Sequence, residues 1–87
     1  DCFYQPGDLY RLMSEGQKAA LIDNTKNNIM PVTMNIKYRH ASHCYLADSD
    51  YGTRIAEALG LDLGKVVELS KMPHADRLNA TRAGTFE

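Results

Sequence analysis

Gln5-Pro6-Gly7-Asp8-Leu9-Tyr10-Arg11-Leu12-Met13-Ser14, read with Asp48-Ser49-Asp50-Tyr51-Gly52-Thr53-Arg54-Ile55-Ala56-Glu57-Ala58-Leu59-Gly60, decides the fold of this 87-residue chain. Pro6 suits the first turn of a helix, where its missing N–H goes unused. Leu9, Leu12 and Met13 then share one face. In the second stretch Asp48 or Asp50 can cap a helix, and Gly60 stands where a left-handed residue ends one. Ile55, Ala58 and Leu59 form the apolar stripe between them. Both stretches read as short amphipathic helices.

The same period continues along the chain. Ser14-Glu15-Gly16-Gln17 has the form of a capping box, in which a serine hydroxyl and a glutamine amide each satisfy a backbone N–H of the other. A helix follows it, with Ala20, Leu21 and Asn24 on one side, and ends at Asn28. Pro31 marks a break, because the residue before a proline avoids the α region. The next helix is expected from Val32 to about Leu46, with Val32, Ile36, Arg39 or His40, and His43 on its inward face. Asp62 caps a further helix whose Leu63, Val66, Val67 and Leu69 point inward, and Met72-Pro73 stops it. No run combines strict alternation with β-branched or aromatic enrichment, so strands are not expected. The reading is all-α, with four to five short helices over residues 1–72. Residues 73–87 are expected to be a polar tail, partly frayed and adding at most a turn or two of helix.

Bulk composition narrows the function. Ten basic residues against eleven acidic ones leave a formal charge of −1. No basic stripe interleaved with aromatics exists, which argues against nucleic-acid binding. No apolar run approaches the ~18 residues of a membrane span. Leu, Ile, Val and Phe total 18 of 87 residues, close to the ~20% below which chains tend to be disordered. So small a chain buries too little surface for a strong core of its own. The expectation is a folded middle that gains order from a partner. Cys2 and Cys44 are the only cysteines, too few for a disulfide scaffold. They read as reduced thiols of a cytoplasmic protein.

Few residues offer chemistry. His40, His43 and Cys44 fall at i, i+3 and i+4, on one helix face, and imidazole with thiolate suits zinc. A structural zinc wants a fourth ligand, for which only Cys2 or His74 stands out. A packed helix face with hydrogen-bonded imidazoles explains the same pattern, and no metal is expected. Asp48, Asp50 and Asp62 are accounted for as caps. The glycines form no phosphate loop. The five tyrosines read as side chains packed at the edge of a core or interface.

The two opening stretches, together with Leu21-Ile22-Asp23-Asn24, resemble the C-terminal helical segment of haem catalases over about residues 1–72. The resemblance implies the all-α fold of that segment. In the family, peroxide dismutation belongs to an upstream β-barrel that holds haem through a tyrosine in an Arg-x-Phe-x-Tyr-x-Asp segment. That segment is missing here, and Arg39-His40-Ala41 lacks the flanks of the distal histidine motif. No catalytic residue is therefore carried over, and the chain reads as a fragment that supports an enzyme without being active alone. The resemblance further implies a catalase β-barrel domain as partner, a tetramer for the whole enzyme, and haem and NADPH as cofactors outside this chain. Gln5, Leu9 and Met13 match the positions that line the NADPH cleft. Packing of Leu9 and Met13 on the barrel is the plainer alternative. A second reading is a free-standing helical module that binds a protein through Leu9, Leu12 and Met13. A third is a small zinc domain on His40, His43 and Cys44.

Overall fold

In the computed structural model, residues 6–86 are described, with side chains described from Leu9 onward. The fold is all-α. It has six helices among the described residues: α1 Pro6–Leu12, α2 Glu15–Ile29, α3 Met34–Ala47, α4 Ser49–Leu59, α5 Leu63–Ser70 and α6 His74–Ala80. No strand forms among these residues, and none of the helices is long and apolar enough to cross a membrane.

The caps form where the sequence places them. The Ser14 hydroxyl accepts from the Gln17 N–H at 3.1 Å, and the Gln17 side-chain oxygen accepts from the Ser14 N–H at 2.9 Å. Asp48 accepts from the N–H groups of Asp50 and Tyr51 at the head of α4. Asp62 accepts from the Gly64 N–H at the head of α5. Gly60 closes α4 at φ +72°, a left-handed conformation that glycine adopts without steric cost.

The core lies where α3, α4 and α5 meet. Tyr38, Ala41 and Cys44 of α3 pack on Ile55, Ala56 and Leu59 of α4, with Leu61, Val66 and Leu69 completing the cluster. Helices α3 and α4 approach closely because small residues line the contact. Ala41, Ser42 and Ala56 are fully buried. A methyl group on Gly52 would overlap the Cα and Cβ of Tyr45. Helix α2 leans on α4, and no residue of α2 is fully buried.

Two details of the sequence reading are corrected. Helix α3 begins at Met34, because Thr33 is extended (φ −69°, ψ 160°) and acts as its N-cap. Its inward face is Asn35, Tyr38, Ala41, Ser42 and Cys44, while Ile36 and His43 are exposed. The face that packs on α4 and α5 is thus the one carrying small residues, not the more apolar one. Likewise Leu63 of α5 is exposed and Val67 half-buried, leaving Val66 and Leu69 as its core residues.

Residues 73–86 carry α6 and pack on the body. Arg77 is 7% exposed and donates to the carbonyls of Leu69 (3.0 Å) and Met72 (2.8 Å), satisfying the end of α5. The buried Thr81 hydroxyl donates to the Arg77 carbonyl and accepts from the Arg39 guanidinium at 2.9 Å. The Thr81 carbonyl accepts from Asn35 and Arg39. Phe86 stacks on Tyr38 with ring centroids 4.4 Å apart. Among the described residues, every buried side-chain nitrogen and oxygen has a hydrogen-bond partner, as buried polar groups require.

Candidate functional site

Helix α1 is the element singled out by the sequence, and one residue fixes how it sits. Tyr10 is 1% exposed. Its ring lies parallel to that of Tyr51 at 4.8 Å, an arrangement that adds roughly 0.5–1.5 kcal/mol beyond burial. Its hydroxyl donates to the Asp50 carboxylate. The Lys18 ammonium sits over the Tyr10 ring, 4.8 Å from its centroid. Burial, the hydrogen bond to Asp50 and the charge of that carboxylate all push the Tyr10 phenol well above its ordinary pKa. Tyr10 is therefore neutral throughout the physiological range.

Ion pairs surround this anchor. Arg11 pairs with Asp48 at 2.9 Å. Arg54 bridges Glu15 at 2.8 Å and Asp50 at 3.1 Å, joining α2 to α4. Burial opposes ionisation of Asp48, but the Arg11 guanidinium and the N–H groups of Tyr51 and Asp50 outweigh it and hold the carboxyl below its usual range. Glu15 is lowered by its hydrogen bond to Arg54 and by the charge of that guanidinium. Exposed pairs of this kind are worth about 0–1 kcal/mol each, so they orient α1 and α2 more than they stabilise them.

With Tyr10 turned inward, α1 shows its other side to solvent. Leu12 is 83% exposed and Leu9 44%. Met13 follows the helix and is half-buried, its N–H bonded to the Tyr10 carbonyl at 3.1 Å. Gln5 lies outside the described residues. Of the three positions matched to a dinucleotide cleft, the structure therefore describes Leu9 on α1 and Met13 just beyond its end. Leu9 and Leu12 make the open apolar strip. The sequence pattern groups Leu9, Leu12 and Met13, of which the structure leaves Leu9 and Leu12 exposed and Met13 half-buried beyond the helix end; the pivot, Tyr10, carries no pattern of its own. Its signal was the distant pairing of Tyr10 with Asp50 and Tyr51.

The His–Cys cluster is only partly assembled. His40 Nε2 lies 3.5 Å from Cys44 Sγ, whereas His43 is exposed. Burial, with a smaller contribution from His43, lowers the His40 pKa below its ordinary value. Burial pushes the Cys44 thiol up to about 11, against a weaker effect of the Tyr51 hydroxyl. A buried thiol whose pKa is raised is not an activated nucleophile. Among the described residues, no three His, Cys, Asp or Glu side chains gather to hold a metal. The outer side of α3, formed by Ile36, Arg39, His40 and His43, borders an open groove of about 300 Å³.

Comparison with known proteins adds the following. A family model described as catalase-related immune-responsive matches residues 1–59. Catalase A of Staphylococcus xylosus is 48% identical over 64 residues, which is 74% of this chain and 13% of that protein. Catalase B of the same organism is 45% identical over the same length, and the catalase of Staphylococcus aureus strain USA300 is 47% identical. The chain thus spans about 13% of the length of the curated relatives it matches. No solved structure matches it.

Proposed function

This chain belongs to the catalase-related immune-responsive family, and from that premise we propose that it is a helical support segment of a haem catalase. Peroxide dismutation is the work of the whole enzyme. This part docks on the β-barrel, closes the cofactor cleft and contributes to a tetramer in the cytoplasm. Residues 1–72 form the catalase-like unit, and 73–87 extend it. The observation that carries the proposal is the orientation of α1. Tyr10 is locked inward while Leu9 and Leu12 are left open, and burying such a strip yields roughly 25 cal/mol per Å² of apolar surface.

Haem would supply the redox chemistry, and the residues here do not ligate it: the family's Arg-x-Phe-x-Tyr-x-Asp segment is absent from the chain. For NADPH, Leu9 and Met13 have the chemistry to pack against the flat apolar faces of the dinucleotide and not its phosphates. Gln5 would add a polar contact, and the phosphates would be held by the rest of the enzyme.

A chimera tests this. The chain is placed where the matching segment of Catalase A of Staphylococcus xylosus stands. The chimera is expected to assemble and consume peroxide, whereas the isolated chain with added haem consumes no more than free haem does. Leu9→Asp in the chimera should weaken assembly by burying an unpaired charge. Gln5→Ala should spare assembly and weaken NADPH binding. A chimera whose assembly is indifferent to Leu9→Asp would refute the docking role.

A further inference from the structure

The interior holds a second feature that barrel docking does not use. Tyr10 of α1, Tyr51 of α4, and Cys44 and His40 of α3 follow one another as neighbours. Tyr10 and Tyr51 stack at 4.8 Å. Tyr51 packs against the core cluster that contains Cys44, with its phenol acting on the thiol. Cys44 Sγ lies 3.5 Å from His40 Nε2. Each end has a proton acceptor: the Asp50 carboxylate takes the Tyr10 hydrogen bond, and His40 borders the open groove on α3. We propose that these four side chains form a one-electron oxidation path that carries oxidising equivalents from the Tyr10–Asp50 end to the buried Cys44 thiol.

The steps balance as follows. An outer-sphere one-electron oxidant removes an electron from Tyr10, whose phenol proton passes to the Asp50 carboxylate, leaving a tyrosyl radical. Cys44 then gives an electron across the stacked Tyr51 ring to Tyr10. The thiol proton moves to neutral His40, and Tyr10 takes its own proton back from Asp50. The product is a Cys44 thiyl radical beside an imidazolium. Two-electron attack by peroxide is a different route and is closed here. That reaction needs an exposed thiolate, and Cys44 is 6% exposed and held as the thiol. The path therefore makes Cys44 sensitive to one-electron oxidants and insensitive to peroxide itself.

The test uses the 87-residue chain with a photo-excited ruthenium(II) tris-bipyridine complex and persulfate in air. Dioxygen adds to the thiyl sulfur, and one electron from excited ruthenium(II) with one proton from water completes the sulfinic acid, an irreversible mark. Peptide mass spectrometry reads that mark at Cys44. The expected result is clear Cys44 oxidation in light, little with peroxide in the dark, and loss of most of the light-driven product in Tyr10→Phe and in Tyr51→Leu. The first keeps the ring and removes only the oxidisable hydroxyl, and the second removes the bridging ring. Equal Cys44 oxidation in the parent and both variants overturns the proposal. So does oxidation by peroxide alone matching that in light. A variant that loosens the fold would raise peroxide oxidation, so the dark arm separates unfolding from loss of the path.

Discussion

The α3–α4–α5 core and the α1–α2 wing are built on different principles. In the core, small residues let two helices touch along their backbones, and Ala41, Ile55, Ala56 and Val66 are wholly buried. In the wing, the seven-residue helix α1 hangs on one aromatic stack and a set of ion pairs, and α2 has no fully buried residue. The core satisfies itself. The wing holds a surface in place, with Leu9 and Leu12 facing outward.

The comparison is broken most severely by changes in the core. Ile55→Ala removes a fully buried side chain and should cost roughly 2–5 kcal/mol. Leu12→Ala, at an 83% exposed position, should stay within about 0.5 kcal/mol of the parent. Urea unfolding followed by circular dichroism measures both. Similar losses at the two positions would mean that the wing and the core are not distinct.

A smaller effect is expected at the wing's anchor. Tyr10→Leu removes the stack on Tyr51 and the bond to Asp50, together worth roughly 1–3 kcal/mol. Hydrogen exchange should show α1 amides losing protection while α3, α4 and α5 keep theirs. Loss of protection throughout would make Tyr10 part of the core.

The smallest effect is that of pH. The folded state lowers the His40 pKa below the ordinary 6.5, so the unfolded chain binds more protons in that window. Stability is then fully present above pH 6.5 and declines as pH falls from there toward the folded-state value. Asp48 and Glu15 are depressed as well, and their contributions are lost at lower pH, below the ordinary carboxylate range. His40→Gln should remove the upper part of the pH dependence and leave the acid part. An unchanged profile between pH 5 and 7 (the range around the ordinary histidine pKa) would contradict it.

Much of this was legible in the sequence, and the reasons are local. The Ser14–Gln17 box, the Asp48 and Asp62 caps and the Gly60 terminus each depend on residues within one turn of each other, and each forms as read. The buried face of α3 was not legible. It is set by packing against another helix, α4, whose Gly52 lets the backbone of Tyr45 approach closely, with Ala41 and Ser42 turned inward and Ile36 left out. The roles of Arg77 and Thr81 were hidden for the same reason, since their partners Leu69, Met72, Asn35 and Arg39 lie on other elements. At the candidate site the apolar strip could be read from spacing. The inward lock of Tyr10 depends on Asp50 and Tyr51, forty residues or more away in sequence.

The claim that α1 presents a docking surface on a self-sufficient core is tested most directly by binding. The chain and its Leu12→Asp variant are each titrated into Catalase A of Staphylococcus xylosus from which the matching segment has been removed, and heat of binding is recorded. Circular dichroism melts of the two chains are compared alongside. The account predicts that the parent chain binds, that Leu12→Asp abolishes binding, and that the two melts coincide. Unaltered binding by Leu12→Asp, or a variant that no longer folds, would contradict it.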